Sequence, residues 1–412
     1  MIKKLSLAAM AIYLSMGTAY ASIESKTWSA SDEAKSFLQD TIVIGMLASP
    51  YGAGWMDDQQ LLDYFKDARD NGITGHEYTI TAADHNFDDF LFHHYKHRNA
   101  MAKEPDNFIV VHSNQDIEKA HVERKTAVLW NSQTATILEE DVTRMAILKD
   151  MGLTSMILAY NDIFRTGSGQ LAAYNGRDIG LTPWGQSVID EMVKFNVILD
   201  LSHTGSKTAN EAMDYMEKKH PGTPFIYSHS VPAGLYKNES EATPKGCYRA
   251  IPDDEALRAA KSGGYVAPTF TEWMMDGVWP EDISPKQAAD MIDYYVKLVG
   301  VDHVGIATDD MFSTEGVVDF AMKNAKMYDD GGYMIKAFDK GATGNGELSK
   351  ILAAVTDDLW ARGYTNEDLV KIYGGNKMRV YAQLADGIDP KAFQEQYAQR
   401  LEILTKMRNE MK

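Results

Sequence analysis

The sequence contains a single cysteine, Cys247, among its 412 residues. One thiol cannot form an internal disulfide, so the fold must depend on its packed core even in an oxidising compartment. Beyond Met16 no apolar run is long enough to cross a bilayer, which predicts a protein without a membrane span. No linker rich in Pro, Gly or Ser and no low-complexity tract divides the chain. These absences favour one large domain with its own hydrophobic core.

Positive charge is also scarce in this chain. It carries 41 Lys and Arg residues against 59 Asp and Glu, a formal net charge of −18. A protein with this excess of negative charge repels nucleic acids and anionic membrane surfaces. The composition therefore predicts that no nucleic acid is among its partners.

The N-terminal segment contains one short apolar run. Lys3 and Lys4 precede the almost continuous apolar residues 5–16, and Ala19-Tyr20-Ala21 is a small-x-small cleavage site. This order is typical of a secretory signal peptide, and its apolar part is too short to span a membrane. We predict that residues 1–21 are removed by cleavage after Ala21 and that the protein is periplasmic or secreted. Its net charge then becomes −20, from 39 basic and 59 acidic side chains.

Short apolar runs alternate with amphipathic segments along the rest of the chain. Eight runs are predicted to be buried strands, at residues 42–44, 108–111, 127–130, 156–158, 197–201, 224–227, 265–267 and 303–307. Such strands, separated by helices, are typical of a parallel sheet covered on both faces. We predict an α/β fold, a (β/α)8 TIM barrel over residues 22–390, with long loops at 231–248 and 311–348. Residues 391–412 are predicted to form a helix that packs on the barrel or on a second subunit.

Polar residues follow three of the predicted strands, where barrels of this kind build their active sites. His203 follows the strand at 197–201, His229 follows the strand at 224–227, and Asp309 follows the strand at 303–307. The histidines are about one strand-helix unit apart, so we expect them at adjacent strand ends. Two imidazoles there can share a metal ion, with Asp309 completing or buffering the site. The alternative is that both histidines merely cap strands or pack in the core.

Arg249 lies at the end of the long loop after the strand at 224–227. A guanidinium group there can hold a substrate carboxylate through two parallel hydrogen bonds. A surface ion pair with Asp253 or Glu255 explains this arginine equally well, and the residues alone leave both interpretations open.

Several motifs together resemble the renal (membrane) dipeptidase family, peptidase family M19. They are Leu199-Asp200-Leu201-Ser202-His203, Tyr227-Ser228-His229-Ser230, the segment 176–185, which ends in Leu-Thr-Pro-Trp-Gly, the segment 302–309, and Gly-Gly-Asn-Lys-Met-Arg-Val at 374–380. Their order and spacing match the family over roughly residues 34–384. The resemblance implies an eight-stranded barrel of the amidohydrolase type, often a homodimer, which hydrolyses dipeptides at a two-zinc site.

The resemblance also implies roles for individual residues. His203 and His229 match the two histidine ligands of the family's second zinc, and Asp309 matches the aspartate that handles protons near the attacking water. Arg249 matches the arginine that binds the terminal carboxylate of the substrate. Tyr160 stands where many members place a histidine or tyrosine that contacts the substrate.

The departures from the family pattern all fall on its first zinc. Met46 and Ala48 stand at the positions of a His-x-Asp pair, and Asn131 stands where the zinc-bridging glutamate is expected. Two dications held close together need anionic ligands between them, which a neutral amide cannot supply. We therefore predict at most one zinc ion, on His203 and His229, with water, Asp309 or, as a weak ligand, Asn131 completing the site.

These residues predict an exported metallohydrolase of the membrane dipeptidase type. Its substrate would be a dipeptide or a related small amide with a free carboxylate. Two alternatives stay open from the sequence. One is a metal-light isomerase or tautomerase of peptide or siderophore maturation, in which Asp309 and a histidine act as acid and base. The other is a non-catalytic homologue that keeps Arg249 and the long loops for ligand capture.

Overall fold

The structure, a computed structural model, describes residues 27–49, 58–235, 248–271, 274, 283–311 and 348–411. The predicted signal peptide and most of the two predicted long loops lie outside these residues. The described strands are β1 (Ile44–Ser49), β2 (Gly75–Thr79), β3 (Phe108–Val110), β4 (Thr126–Ser132), β5 (Leu153–Ile157), β6 (Ile198–Asp200), β7 (Phe225–Pro232), β8 (Ala250–Ile251), β9 (Val266–Pro268) and β10 (Ala307–Met311).

Eight of these strands form a closed ring. In the order β10-β1-β2-β4-β5-β6-β7 each strand pairs with the next in parallel, and β9 pairs with the other end of this path at β7. Parallel bridges from Val266 to Val304 and from Thr269 to Ala307 join β9 to the β10 side and close the barrel. The short strands β3 and β8 pair with β4 and β7 beside the ring. The predicted TIM barrel is confirmed.

Helices alternate with the strands along the chain and pack around the barrel. They are α1 (Asp32–Asp40), α2 (Asp58–Asp70), α3 (Phe87–Met101), α4 (Asn114–Glu123), α5 (Met145–Asp150), α6 (Gln170–Tyr174), α7 (Pro183–Lys194), α8 (Ser206–Lys219), α9 (Asp253–Lys261), α10 (Pro285–Val299), α11 (Leu348–Ala361), α12 (Asn366–Val370), α13 (Asn376–Asp386) and α14 (Pro390–Glu410). Local sequence fixes several helix starts. Before α10, for example, Ser284 and Gln287 form a reciprocal capping box around Pro285.

The barrel interior is a core separate from the layer between sheet and helices. Its apolar side chains come from the inward positions of the strands and continue into α13 and α14, as Ile44, Met46, Leu129, Ile198, Ile226, Met378, Tyr381 and Tyr397. The two C-terminal helices therefore close the N-terminal end of the barrel, and the C-terminal end carries the site. None of the helices in the described part of the chain is long and apolar enough to cross a membrane.

One barrel strand differs from the sequence prediction. The predicted strand at 108–111 is β3, which lies half-buried beside the ring. Its expected place is taken by β2, which is wholly buried although it carries His76, Glu77 and Thr79. A search for apolar runs misses such a strand, because its polar side chains are satisfied inside the fold.

Candidate functional site

The predicted site residues gather at the C-terminal rim of the barrel. His203 follows β6, His229 lies in β7, and Asp309 lies in β10. The structure brings the two imidazoles together, with ring centroids 4.8 Å apart. Tyr160 stacks on His203 with a centroid distance of 4.0 Å, so its phenol ring covers one face of that imidazole. Each histidine has an Nε2 atom that is buried and without a hydrogen-bond partner.

Asn161 fixes the tautomer of His203. Its Oδ1 lies 2.9 Å from His203 Nδ1, and a carbonyl oxygen can only accept, so Nδ1 carries the proton. Burial, together with the charges of Arg249 and His229, holds the pKa of His203 well below its usual value. The ring is therefore neutral, and its Nε2 lone pair is buried without a hydrogen-bond partner. Asn161 itself is held by a close backbone approach, since a Cβ on Gly169 would lie 2.1 Å from the Asn161 nitrogen.

Two successive hydrogen bonds, through Ser228 to Asp200, fix the tautomer of His229. The Ser228 hydroxyl donates to Asp200 Oδ2, which uses its single proton, so it must accept from His229 Nδ1 at 2.8 Å. Asp200 is held in place by the backbone N–H groups of Ser202 and Ser228. Burial and the charge of Arg249 keep the pKa of His229 well below its usual value. Both imidazoles thus present neutral Nε2 lone pairs.

Arg249 lies fully buried beside the histidines. It donates to Gln170 Oε1 at 2.7 Å and to the His229 carbonyl at 2.8 Å, while its Nε has no partner. The surface ion pair that was the alternative for this residue is thus replaced by a buried position at the site. Asp309 is partly exposed, and desolvation raises its pKa to about 6 against the opposing charge of Arg249.

The other side of the rim offers little to a metal ion. Met46 lies in the interior core, where its sulfur accepts a hydrogen bond from the Tyr265 hydroxyl at 3.5 Å. Ala48 belongs to the outer layer. Asn131, fully buried at the end of β4, donates through Nδ2 to Ser155 Oγ at 2.7 Å, and the Thr79 hydroxyl lies 3.4 Å from its Oδ1.

Beneath Asn131 a buried ion pair occupies the barrel interior. Lys377 Nζ lies 2.9 Å from Glu77 Oε2, and both side chains are almost wholly removed from solvent. The other carboxylate oxygen of Glu77 accepts from the hydroxyl groups of Thr154 and Ser155. A chain of hydrogen bonds therefore runs from Lys377 through Glu77 and Ser155 to Asn131.

These contacts define two halves of the rim. The histidine half consists of His203 and His229 with their supports Asn161, Asp200 and Ser228. The opposite half consists of Met46, Ala48 and Asn131.

The family's two-zinc centre does not fit these side chains. In the part of the chain that the structure describes, no group of three or more His, Cys, Asp or Glu side chains is arranged to hold a metal ion. The two unpartnered Nε2 atoms are suitable nitrogen donors, but catalytic zinc sites use three protein ligands. The described residues thus supply part of one site, and Met46 and Ala48 supply no oxygen or nitrogen side-chain donor to another.

Sequence reasoning named the histidines but missed the residues that orient them. Asn161, Asp200, Ser228 and Gln170 are ordinary polar residues in the sequence, and their roles depend on contacts between strands. A backbone signal accompanies the site: Asn161, His203 and Asp309 have left-handed φ angles of 60°, 60° and 54°. Such conformations in non-glycine residues are costly and collect at functional sites.

A closed parallel barrel with imidazoles and a carboxyl at its C-terminal rim defines a TIM barrel of the metallo-dependent hydrolase type. The model of one family, membrane dipeptidase (peptidase family M19), matches residues 64–330. The chain therefore belongs to the membrane dipeptidase family.

Individual relatives agree with this assignment. The chain is 22% identical over 283 residues to the dipeptidase tcpJ of Claviceps purpurea, which covers 68% of this chain and 56% of that protein. It is 27% identical over 232 residues to the uncharacterized dipeptidase C3A11.10c of Schizosaccharomyces pombe, covering 53% and 48%. The matches thus span about half the length of these relatives.

Solved structures share the fold. An amidohydrolase from Pseudomonas aeruginosa superposes with a TM-score of 0.70 at 25% identity, over 85% of this chain and 98% of that one. A metallo peptidase from Rhodobacter sphaeroides, liganded with a phosphinate mimic of the dipeptide L-Ala-D-Ala, superposes with a TM-score of 0.63 at 14% identity, over 84% and 99%.

Proposed function

We propose that this protein is an exported, dipeptidase-like hydrolase that acts on a dipeptide or a related small amide with a free carboxylate, with at most one zinc ion. The observation that carries this proposal is the buried Arg249 beside two imidazoles with unpartnered Nε2 atoms. Its two hydrogen bonds go to neutral acceptors, and a buried guanidinium of this kind is best satisfied by an anionic group of the ligand. The free carboxylate of a dipeptide is such a group.

In this proposal each side chain has a distinct task. Arg249 binds the carboxylate and so orients the scissile amide. Asp309 accepts a proton from the attacking water and returns it to the leaving amine, for which a pKa near 6 is suitable. The Nε2 atoms of His203 and His229 accept hydrogen bonds from water or substrate. Tyr160 packs against His203 and limits the space available to the ligand.

The test uses paired substrates. Hydrolysis of a dipeptide panel that includes L-Ala-D-Ala is compared with hydrolysis of the matching dipeptide amides, which lack the free carboxylate. We expect Arg249→Met to lower kcat/KM for dipeptides by about 10- to 100-fold, the equivalent of one charged hydrogen bond or more. The preference for dipeptides over their amides should disappear as well. If the variant keeps that preference, Arg249 does not bind the carboxylate.

Metal content tests the second part of the proposal. One equivalent of zinc or less in the purified protein is expected, and two equivalents would contradict our interpretation of Met46, Ala48 and Asn131. If neither the protein as purified nor the zinc-supplemented protein turns over any substrate of the panel, the hydrolase proposal fails in favour of a ligand-binding homologue.

The shortage of metal ligands favours a second candidate, a metal-free enzyme that isomerises a peptide-like substrate by proton transfer. Asp309 and a neutral histidine, one with its pKa raised and the other with its pKa lowered, are suited to accept and return a proton. A chelator discriminates between the two candidates. It should abolish a zinc-dependent hydrolysis and leave a metal-free isomerisation unchanged.

A further inference from the structure

A second polar site lies at the N-terminal end of the barrel, away from the histidines. Residues 72–74, just before β2, and the end of α4, just before β4, border a small cleft that opens to solvent. The charged or titratable side chains that line it are Arg69, His121, Arg124, Lys125 and Arg408. Among the described residues this lining contains no carboxylate. We call it the cation cleft.

Three of the four cations in the cation cleft lack an ion pair with any described residue. Lys125 is neutralised by Glu123 at 2.8 Å. Arg69 donates to the Thr126 hydroxyl at 3.1 Å, and Arg408 donates to Gln39 Oε1 at 2.9 Å, both neutral acceptors. Arg124 is exposed and forms no ion pair within the described part of the chain. In a protein with a net charge of −18, such a local excess of unpaired positive charge needs an explanation.

Two polar atoms in the cation cleft are buried and unsatisfied. They are Nε of Arg408, whose side chain is 7% exposed, and Nε2 of His121, which is 3% exposed. Burial and the charge of Arg124 lower the pKa of Arg408 to about 10, although Asp40 acts in the opposite direction. Burial, Arg408 and Arg124 lower the pKa of His121 to about 3. The charge of Arg124 therefore disfavours the charged forms of Arg408 and His121 in the absence of an anion.

Two simpler explanations are insufficient. A water molecule can satisfy Nε and Nε2, but it cannot offset the charge of the guanidinium groups. The C-terminal ends of α2 and α4 also face this region, and each helix dipole contributes about half a negative charge. Together they amount to about one negative charge and Asp40 adds one more, against three guanidinium groups that form no ion pair with a described residue. About one positive charge remains, which a bound anion would balance.

We propose that the cation cleft binds a small oxyanion of the phosphate class, with Arg124 and Arg408 as its principal donors. Guanidinium groups form paired, charge-assisted hydrogen bonds with tetrahedral oxyanions. The buried, unpartnered Nε of Arg408 and Nε2 of His121 belong to residues that line the same cleft. This site is independent of the proposed hydrolase function, because it lies at the other end of the barrel and shares no residue with it.

Calorimetric titration with inorganic phosphate, in a chloride buffer of low ionic strength, tests the proposal on the full chain as purified. We expect saturable binding at one site, weakened about tenfold or more by Arg124→Gln. Arg124 is the decisive position because it is exposed, so its replacement leaves the core packed. The matched control is Arg400→Gln on α14, where Arg400 pairs with Glu118 instead, and this variant should bind phosphate as the unmodified protein does.

The outcomes are distinct. Absence of saturable binding to the unmodified protein, or equal affinities of the Arg124→Gln and Arg400→Gln variants, would overturn the proposal. A phosphate monoester serves as a second probe. Tighter binding of the monoester than of inorganic phosphate identifies a phosphorylated small molecule as the ligand source, and weaker binding identifies the free ion. In either case the Nε2 resonance of His121 should shift on saturation, which places the anion in the cleft.

Discussion

The two halves of the rim differ in what supports their side chains. In the histidine half, each imidazole has a partner that fixes its protonated nitrogen, and both Nε2 lone pairs remain available. In the opposite half, Met46 packs in the interior core, Ala48 packs in the outer layer, and a buried ion pair lies beneath Asn131. The first half keeps two nitrogen donors available, whereas the second is filled by packed and paired side chains. The imidazoles therefore keep their orientation without a second metal centre, since Asn161, Asp200 and Ser228 all belong to this chain's own barrel and its loops.

The largest effect should come from the ion pair below the opposite half. Lys377→Met leaves Glu77 buried without its cation, and breaking a buried pair in this way typically costs about 3–5 kcal/mol of unfolding free energy. Urea denaturation measures this loss. The control is Lys297→Met, which removes an exposed pair with Asp293 and should change stability by less than about 1 kcal/mol. Equal losses of unfolding free energy in the two variants would show that the ion pair below the opposite half contributes no more than a surface pair.

A smaller effect is expected from Asp200→Asn, which alters one of the supports of the histidine half. The new amide donates to Ser228 Oγ, so the hydroxyl proton turns toward His229 Nδ1 and moves the imidazole proton to Nε2. Loss of the lone pair should lower kcat/KM by about 10- to 100-fold, the usual cost of a lost supporting contact. Nitrogen chemical shifts of the His229 ring report the tautomer directly, whatever reaction the protein catalyses.

A second aspartate-histidine pair provides the control for this variant. Asp190 accepts from His220 Nε2 at 2.7 Å on the surface. Asp190→Asn should leave both the His229 shifts and kcat/KM unchanged. Unchanged His229 shifts in Asp200→Asn would show that Asp200 does not determine the tautomer.

The pH dependence should follow Asp309, with an effect of about tenfold. Its pKa of about 6 means that the basic form appears as pH rises through 6, so kcat/KM should fall about tenfold per pH unit below that value. Asp309→Asn should remove this limb and lower the plateau by tenfold or more. The contribution of Asp309 to the free energy of unfolding changes with pH in the opposite direction. Between about pH 4 and 6 the folded carboxyl binds a proton that the unfolded chain releases, so this contribution falls as pH rises.

Much of the fold could be predicted because apolar strands and amphipathic helices alternate regularly. The exception, β2, shows the limit of that reasoning. Glu77 resembles a surface residue in the sequence, yet Lys377, 300 positions later, pairs with it inside the barrel. No periodicity connects two residues so far apart in the chain.

The site, too, could be predicted only in part. His203, His229 and Arg249 could be found because polar residues after apolar strands meet at one rim. Asn161 and Ser228 could not be found in this way. Their function depends on which nitrogen of a neighbouring ring they face, and only the pairing of β5, β6 and β7 sets that geometry.

The smallest effect is expected from Met46→Leu, the mildest change in the opposite half. Leucine has nearly the same volume and loses only the weak contact between sulfur and the Tyr265 hydroxyl, so unfolding free energy should change by less than about 1.5 kcal/mol. Zinc content and kcat/KM should both remain those of the unmodified protein, because a half that holds no metal contributes packing alone. A drop in zinc content together with a tenfold loss of kcat/KM would instead identify the thioether as a ligand. That result would place a metal ion in the half where the structure offers only Met46, Ala48 and Asn131.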